Sequence, residues 1–149
     1  MDSRANVKIA QAEAAIDYSF KDANLIWEAL QAPGSGVVRS GTRQIPNGNK
    51  RLALVGDVVL KLIINVENYE QGLTRGEGNV RLQLIEGNVN FVRVANANGF
   101  KNFINANPGH CGELGARTLA DTVEAIIGAV YLDGGIDAVP DVLVTLGLT

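Results

Sequence analysis

An all-α fold is predicted for this chain, and three observations carry the prediction. Two long segments, residues 49–66 and 118–132, are largely apolar at helical spacing. Regular apolar–polar alternation of the kind a half-buried strand needs is scarce. Gly- and Pro-bearing breaks divide the remaining apolar stretches into pieces of helix length. With 149 residues, 46% of them hydrophobic and 19% charged, the chain suits one domain, residues 1–149, built around one sizeable core. No repeat or low-complexity segment divides it, so a helical bundle is expected.

Taken in order, residues 6–16 read as a short helix rich in Ala and Ile. The run Asp17-Tyr18-Ser19-Phe20-Lys21-Asp22 breaks it, and Asp22 is placed to cap the next helix. That helix carries Leu25, Ile26 and Leu30 and ends before Pro33-Gly34. Residues 33–48 hold two Pro and four Gly and read as a long loop, a length often reserved for function. The first long helix covers 49–66, followed by a break from Tyr69 to Arg75. Val80, Leu82, Leu84 and Ile85, then Val89, Phe91, Val92 and Val94, predict two helices parted near Gly87. The alternation over Val80, Leu82 and Leu84 also fits a strand. Residues 106–116, with Pro108 and three Gly, read as a loop. The second long helix spans 118–132 and stops at Asp133-Gly134-Gly135. A last short helix over 136–147 has Pro140 near its first turn.

The composition bounds function as well. The single cysteine, Cys111, excludes an internal disulfide framework and fits a reducing, intracellular setting, cytoplasmic by default. No apolar run is long enough to span a membrane, and the first residues lack the apolar stretch of a signal peptide. A net charge of −3 is awkward for a nucleic-acid binder. The charge is uneven, however: between Ser35 and Arg51 the charged residues are Arg39, Arg43, Lys50 and Arg51, with no acid among them. These four are either a phosphate-contacting strip or the cations of a solvated loop.

The chemistry lies on the two long helices. On the second, Leu119, Val123, Ile126, Ile127 and Val130 fall on one face, the core stripe. Asp121 and Glu124, three residues apart, are neighbours on the other side. Around them stand Ala120, Ala125, Gly128 and Ala129, small residues that would let a partner helix approach closely. On the first helix Ala53, Asp57 and Lys61 lie in line at spacing four, flanked by apolar residues, and Gly56 again permits close packing. An ionised acid in apolar surroundings is costly unless it is exposed, paired or bound to a metal. An Asp57–Lys61 ion pair on an exposed strip is the plain alternative, worth about 0.3–0.5 kcal/mol. If the two helices pack together, Asp57, Asp121 and Glu124 supply the hard oxygen donors that Mg²⁺ prefers, with Mn²⁺ as a substitute. Such an ion can activate water at a phosphodiester.

Both segments resemble the signatures of the ribonuclease III family. The run Asn49-Lys50-Arg51-Leu52-Ala53-Leu54-Val55-Gly56-Asp57 is similar to that family's Asn-Glu-Arg-Leu-Glu-Phe-Leu-Gly-Asp pattern. Residues Leu119 to Gly135, through Asp121, Glu124 and Tyr131-Leu132-Asp133, match its second pattern nearly throughout. Ile16 to Leu30 resembles the family's first two helices around a Tyr-x-Phe-Lys-Asp turn. Residues 80–99 match loosely.

The resemblance implies a ribonuclease III-like helical domain and a magnesium-dependent endonuclease acting on double-stranded RNA as a homodimer. Its products would carry 5′-phosphate and 3′-hydroxyl ends. It further implies that Asp57, Asp121 and Glu124 are the catalytic, metal-binding acids and that Leu54 stands where the family places an aromatic dimer contact. The chain departs from the pattern at Ala53 and Lys50, each in place of a family Glu. That departure raises a second reading, an impaired ribonuclease III-fold subunit that binds RNA or a ribonucleoprotein without cutting. A third is a subunit completed by a different, intact partner. The chain stops at Thr149, short of the RNA-binding module that follows in bacterial relatives. RNA contact is therefore expected from the dimer groove itself or from a partner, with Arg39, Arg43, Lys50 and Arg51 as candidate cations. His110 and Cys111 lack the further His or Cys that a metal site would need. Trp27 reads as a packing residue, and Gly76-Glu77-Gly78 is too short for a phosphate loop.

Overall fold

The computed structural model describes residues 1–107, 109 and 112–149. His110 and Cys111, and Pro108 beside them, lie outside the described residues. Among the described residues seven α-helices follow in chain order: α1 (Ser3–Ile16), α2 (Ala23–Ala29), α3 (Lys50–Glu70), α4 (Arg75–Glu86), α5 (Asn88–Ala97), α6 (Ala116–Gly134) and α7 (Val139–Leu146). Two 3₁₀ turns, Phe100–Asn102 and Ile136–Ala138, join them. The all-α expectation holds, and the strand alternative over Val80–Leu84 gives way to α4. One correction falls in the loop over 33–48. It contains a two-stranded antiparallel hairpin, β1 (Arg39–Ser40) and β2 (Arg43–Gln44), paired Arg39 to Gln44 and Ser40 to Arg43. Two-residue strands leave too little sequence for period-two alternation to register.

Local chemistry sets the boundaries. The Asp2 carboxylate accepts the Ala5 N–H at 2.8 Å and starts α1 earlier than periodicity alone predicts. Asp22 caps α2 through Asn24 N–H, as its position predicts. Thr74 and Glu77 form a reciprocal capping box at the start of α4. Gly135, at φ 82°, ends α6.

The core is continuous, and α6 runs through its middle. Val123, Ile126, Ile127 and Val130 are fully buried, with Leu119 nearly so, against α2, α3, α5 and α7. Residues at the ends of the two signature helices orient them. Buried Asn49, which precedes α3, donates through Nδ2 to Ala29 O at 2.9 Å and to Thr122 Oγ1 at 3.1 Å, tying α2, α3 and α6 at one point. At the opposite end of α6, Asp133 receives three hydrogen bonds. The Tyr18 hydroxyl donates at 2.7 Å, the Lys21 N–H at 3.0 Å and the Asp22 N–H at 2.9 Å. Burial pushes the Asp133 carboxyl up, but these donors outweigh it and hold the group below its ordinary value. The Tyr18 hydroxyl is pushed up to about 12 by burial and by Asp133.

Asp133→Asn should therefore lower unfolding stability by about 1–2 kcal/mol, measured by urea denaturation near neutral pH. The turn from α1 to α2 would lose one of its two acceptor oxygens while the core stayed intact. An unchanged midpoint would show that the Asp133 bonds contribute nothing net.

Candidate active site

The site forms where α3 crosses α6. Gly56 and Gly128 meet at the crossing: a Cβ on Gly56 would stand 1.7 Å from Glu124 O and 3.0 Å from Gly128 N, and one on Gly128 would stand 2.6 Å from Leu52 O. Backbone lies against backbone, which only glycine allows. The small residues of both helices thus permit the close approach that the sequence predicts. This crossing carries Asp57, one residue past Gly56, toward Glu124, one turn before Gly128.

A cleft of about 430 Å³ opens along the crossing, lined by Lys50, Arg51, Ala53, Leu54, Asp57, Arg117, Asp121 and Glu124. All three predicted acids therefore share one cleft with two of the four predicted cations. Arg39 and Arg43 do not line it. They sit on the hairpin, which is pinned to α2 by Ser40 Oγ donating to Asn24 O at 2.7 Å. Arg43 is engaged there: its Nε meets Glu28 Oε1 at 2.6 Å, and the Glu28 residue is only 3% exposed. The basic strip of the sequence is thus two separate features, a hairpin pair and a cleft pair.

Electrostatics around the acids is specific. Glu124 is pushed from an ordinary 4.5 up to about 8, first by burial, then by its hydrogen bond to Asp57, then by the charges of Asp57 and Asp121. Lys61 opposes this weakly. Asp57 Oδ1 receives the Lys61 ammonium at 2.7 Å, so the ion pair foreseen as the plain alternative is present together with the acid cluster. The same ammonium lies 3.1 Å from Glu86 Oε2, on α4. Lys61 is held above its ordinary value, chiefly by the hydrogen bond to Asp57. Asp121, 17% exposed at its side chain, lies 3.8 Å from Arg117 Nε, one turn earlier on α6.

The expected meeting of three acids is thus met in part. Asp57 and Glu124 touch, while Asp121 lines the same cleft beside Arg117. Among the described residues no three His, Cys, Asp or Glu side chains are grouped closely enough to hold a metal ion as they stand. Lys61 lies 2.7 Å from Asp57, and the largely exposed Arg117 stands 3.8 Å from Asp121. In kind, the donor set fits a divalent cation. Two hard carboxylates face each other in partial burial, and the Glu124 carboxyl is pushed up by that setting, a cost that a cation would relieve. Ala53, buried at the edge of the cleft, brings no carboxylate.

Sequence reasoning missed Arg117, Glu86 and Glu28. The spacing of Arg117 to Asp121 was a usable i,i+4 signal. The other two take their roles from contacts between separate elements.

Beside the cleft, α3 presents an apolar stripe to solvent. Leu54 is 69% exposed, Val58 65% and Leu62 52%, at spacing four. With Val55, Val59, Tyr131 and Ile136 they line an apolar groove of about 420 Å³. Leu54 belongs to both the groove and the acidic cleft. No helix among the described residues is long and apolar enough to cross a membrane.

Comparison with known proteins places the chain. The profile described as ribonuclease-III-like matches residues 37–146. The chain is similar to Ribonuclease 3 of Vibrio campbellii, 32% identical over 148 residues, covering 94% of this chain and 60% of that protein. It is also similar to Ribonuclease 3 of Aliarcobacter butzleri, 31% identical over 140 residues, covering 90% of this chain and 58% of that protein. The chain therefore spans somewhat under two thirds of these curated relatives. Among solved structures, the nuclease domain of ribonuclease III from Campylobacter jejuni, described for flexibility in a region involved in dimer formation, shares the fold. It matches with a TM-score of 0.74 at 23% identity, covering 93% of this chain and 94% of that one. A match over most of the chain, on a helical fold with the same architecture, shows that this chain belongs to the ribonuclease-III-like family.

Proposed function

We propose that this protein is a divalent-metal-dependent endoribonuclease that cleaves double-stranded RNA as a homodimer. One observation carries the reading: α3 and α6 are brought into backbone contact by Gly56 and Gly128, and that contact puts Asp57 against Glu124 in a half-buried cleft shared with Asp121. Burial beside Asp57 makes the charged form of Glu124 costly, and a bound cation would offset that cost.

Asp57, Asp121 and Glu124 would hold Mg²⁺ or Mn²⁺. When bound, the ion supplies an acidified water and neutralises charge at the phosphodiester. The chain's own groups do the rest. Lys50, Arg51 and Arg117 line the same cleft and meet the backbone phosphates. Water oxygen adds to phosphorus as the bond from phosphorus to the 3′ oxygen breaks, and the departing oxygen takes a proton. The products carry a 5′-phosphate and a 3′-hydroxyl. The apolar stripe Leu54, Val58 and Leu62 packs against the same stripe of a second copy, bringing two clefts to one duplex.

Ala53 and the Lys61 contact to Asp57 favour a second reading, a fold that grips duplex RNA without cutting it. Incubation with long duplex RNA and Mg²⁺, beside a Glu124→Gln control, separates the two. Cleavage by the natural sequence, lowered about a hundredfold or more in the control, is expected. Bound but intact RNA would overturn the enzyme reading and leave the scaffold.

A further inference from the structure

Lys61 has a place in the cleft's charge balance that the proposed reaction does not use. It stands one turn after Asp57 on α3, on the line that begins at Ala53. Its ammonium reaches two acids on different helices, Asp57 Oδ1 at 2.7 Å and Glu86 Oε2 at 3.1 Å. Glu86 Oε2 is buried from solvent, and the Lys61 ammonium is the cation beside it. The lysine is therefore shared: one short hydrogen bond to Asp57 and one longer ion pair to a buried oxygen of Glu86. Along the line Ala53, Asp57, Lys61, the chain carries no net charge.

We infer that Lys61 is a built-in counter-cation that competes with the divalent ion for Asp57, and that Glu86 draws it away from that acid. It is a positioning residue. Binding of the ion requires Asp57 Oδ1 to give up the ammonium, and Glu86 is the acceptor that keeps the displaced charge compensated. The pair thus sets the ion concentration at which the cleft fills. A shared charge makes opposite predictions for its two partners. Removing the lysine frees Asp57 and tightens ion binding. Removing the charge of Glu86 leaves Lys61 wholly to Asp57 and weakens it.

The inference rests on the reading of Asp57 and Glu124 as ion-holding acids, and the experiment separates the two. Mn²⁺ alone is titrated by calorimetry into the metal-stripped full chain, in four forms: natural, Glu124→Gln, Lys61→Met and Glu86→Gln. Urea denaturation checks that each form is folded. Binding by the natural chain that weakens in Glu124→Gln supports the site, independently of Lys61. Binding about tenfold tighter in Lys61→Met and weaker in Glu86→Gln supports the counter-cation. Equal or weaker binding in Lys61→Met, with the Glu124 comparison intact, overturns the counter-cation and leaves the site standing. Equal binding in the natural chain and Glu124→Gln overturns both.

Discussion

Gly56→Ala should lower unfolding stability by about 3 kcal/mol or more. A Cβ there would fall 1.7 Å from Glu124 O and 2.6 Å from its carbonyl carbon, both backbone atoms of a helix buried on several sides. No rotamer change relieves a clash with backbone, so α3 and α6 must separate along their whole crossing. Ala is the better helix former by up to about 1 kcal/mol, which offsets only part of the strain. Gly76→Ala is the matched control. Gly76 lies in α4 and has nothing within 4 Å of its would-be Cβ. It should be neutral or stabilising by about 0.5–1 kcal/mol. Urea denaturation of the three forms reads both effects. An unchanged midpoint for Gly56→Ala would mean that the helices do not cross at this contact in solution. Because the same contact aligns Asp57 with Glu124, any folded remainder of the variant should also lose Mn²⁺ binding.

That coupling explains why the signature helices are legible in the sequence. Gly56 beside Asp57, and Gly128 one turn past Glu124, are small residues where a solvent-facing surface would carry long polar ones. The same choice of residue that lets the backbones touch marks the acids as inward. The core stripe Leu119, Val123, Ile126, Ile127 and Val130 was readable for the same reason, since a buried helix face repeats at a fixed angle. Asp22 and Gly135 were readable because capping and stop chemistry is local in sequence.

What escaped the sequence is what depends on separate elements meeting. The hairpin of Arg39–Ser40 and Arg43–Gln44 is too short to alternate. It is held instead by contacts with α2, Ser40 to Asn24 and Arg43 to Glu28. Arg39 and Arg43 looked continuous with Lys50 and Arg51 along the chain, yet the hairpin turns them out of the cleft that Lys50 and Arg51 line. Glu86 gives no sign in sequence that it will meet Lys61, twenty-five positions earlier, because only the packing of α4 on α3 joins them. Arg117 is the exception: it approaches Asp121 within α6 at i,i+4 spacing, a contact the sequence does carry.

Metal-stripped protein should lose stability as pH rises from about 5 to about 8, and Glu124→Gln should abolish much of that loss. In the folded chain Glu124 keeps its proton up to about pH 8, because burial and then Asp57 disfavour its charge. In the unfolded chain it releases the proton near its ordinary 4.5. Between those values the folded state holds the extra proton. The stabilisation from this group is therefore complete below about pH 4.5 and is lost progressively until about pH 8. Because the side chain is partly exposed, solvent screening reduces the effect to about 1–2 kcal/mol. Other groups also titrate over this range, so the decisive quantity is the difference between the natural chain and Glu124→Gln, measured by urea denaturation in EDTA at each pH. Gln keeps the shape and a hydrogen bond to Asp57 but cannot ionise, so its profile should be the flatter. Added Mn²⁺ should restore stability to the natural chain at pH 8 and leave the Gln form nearly unmoved, since a ligand that binds only the folded state stabilises it with the logarithm of its concentration over its dissociation constant. Parallel profiles in EDTA would mean that Glu124 ionises as freely folded as unfolded, and that the cleft does not hold its carboxyl against Asp57. The destabilisation of the metal-stripped cleft and the cation binding proposed for it depend on the same two side chains, so the two measurements should rise or fall together.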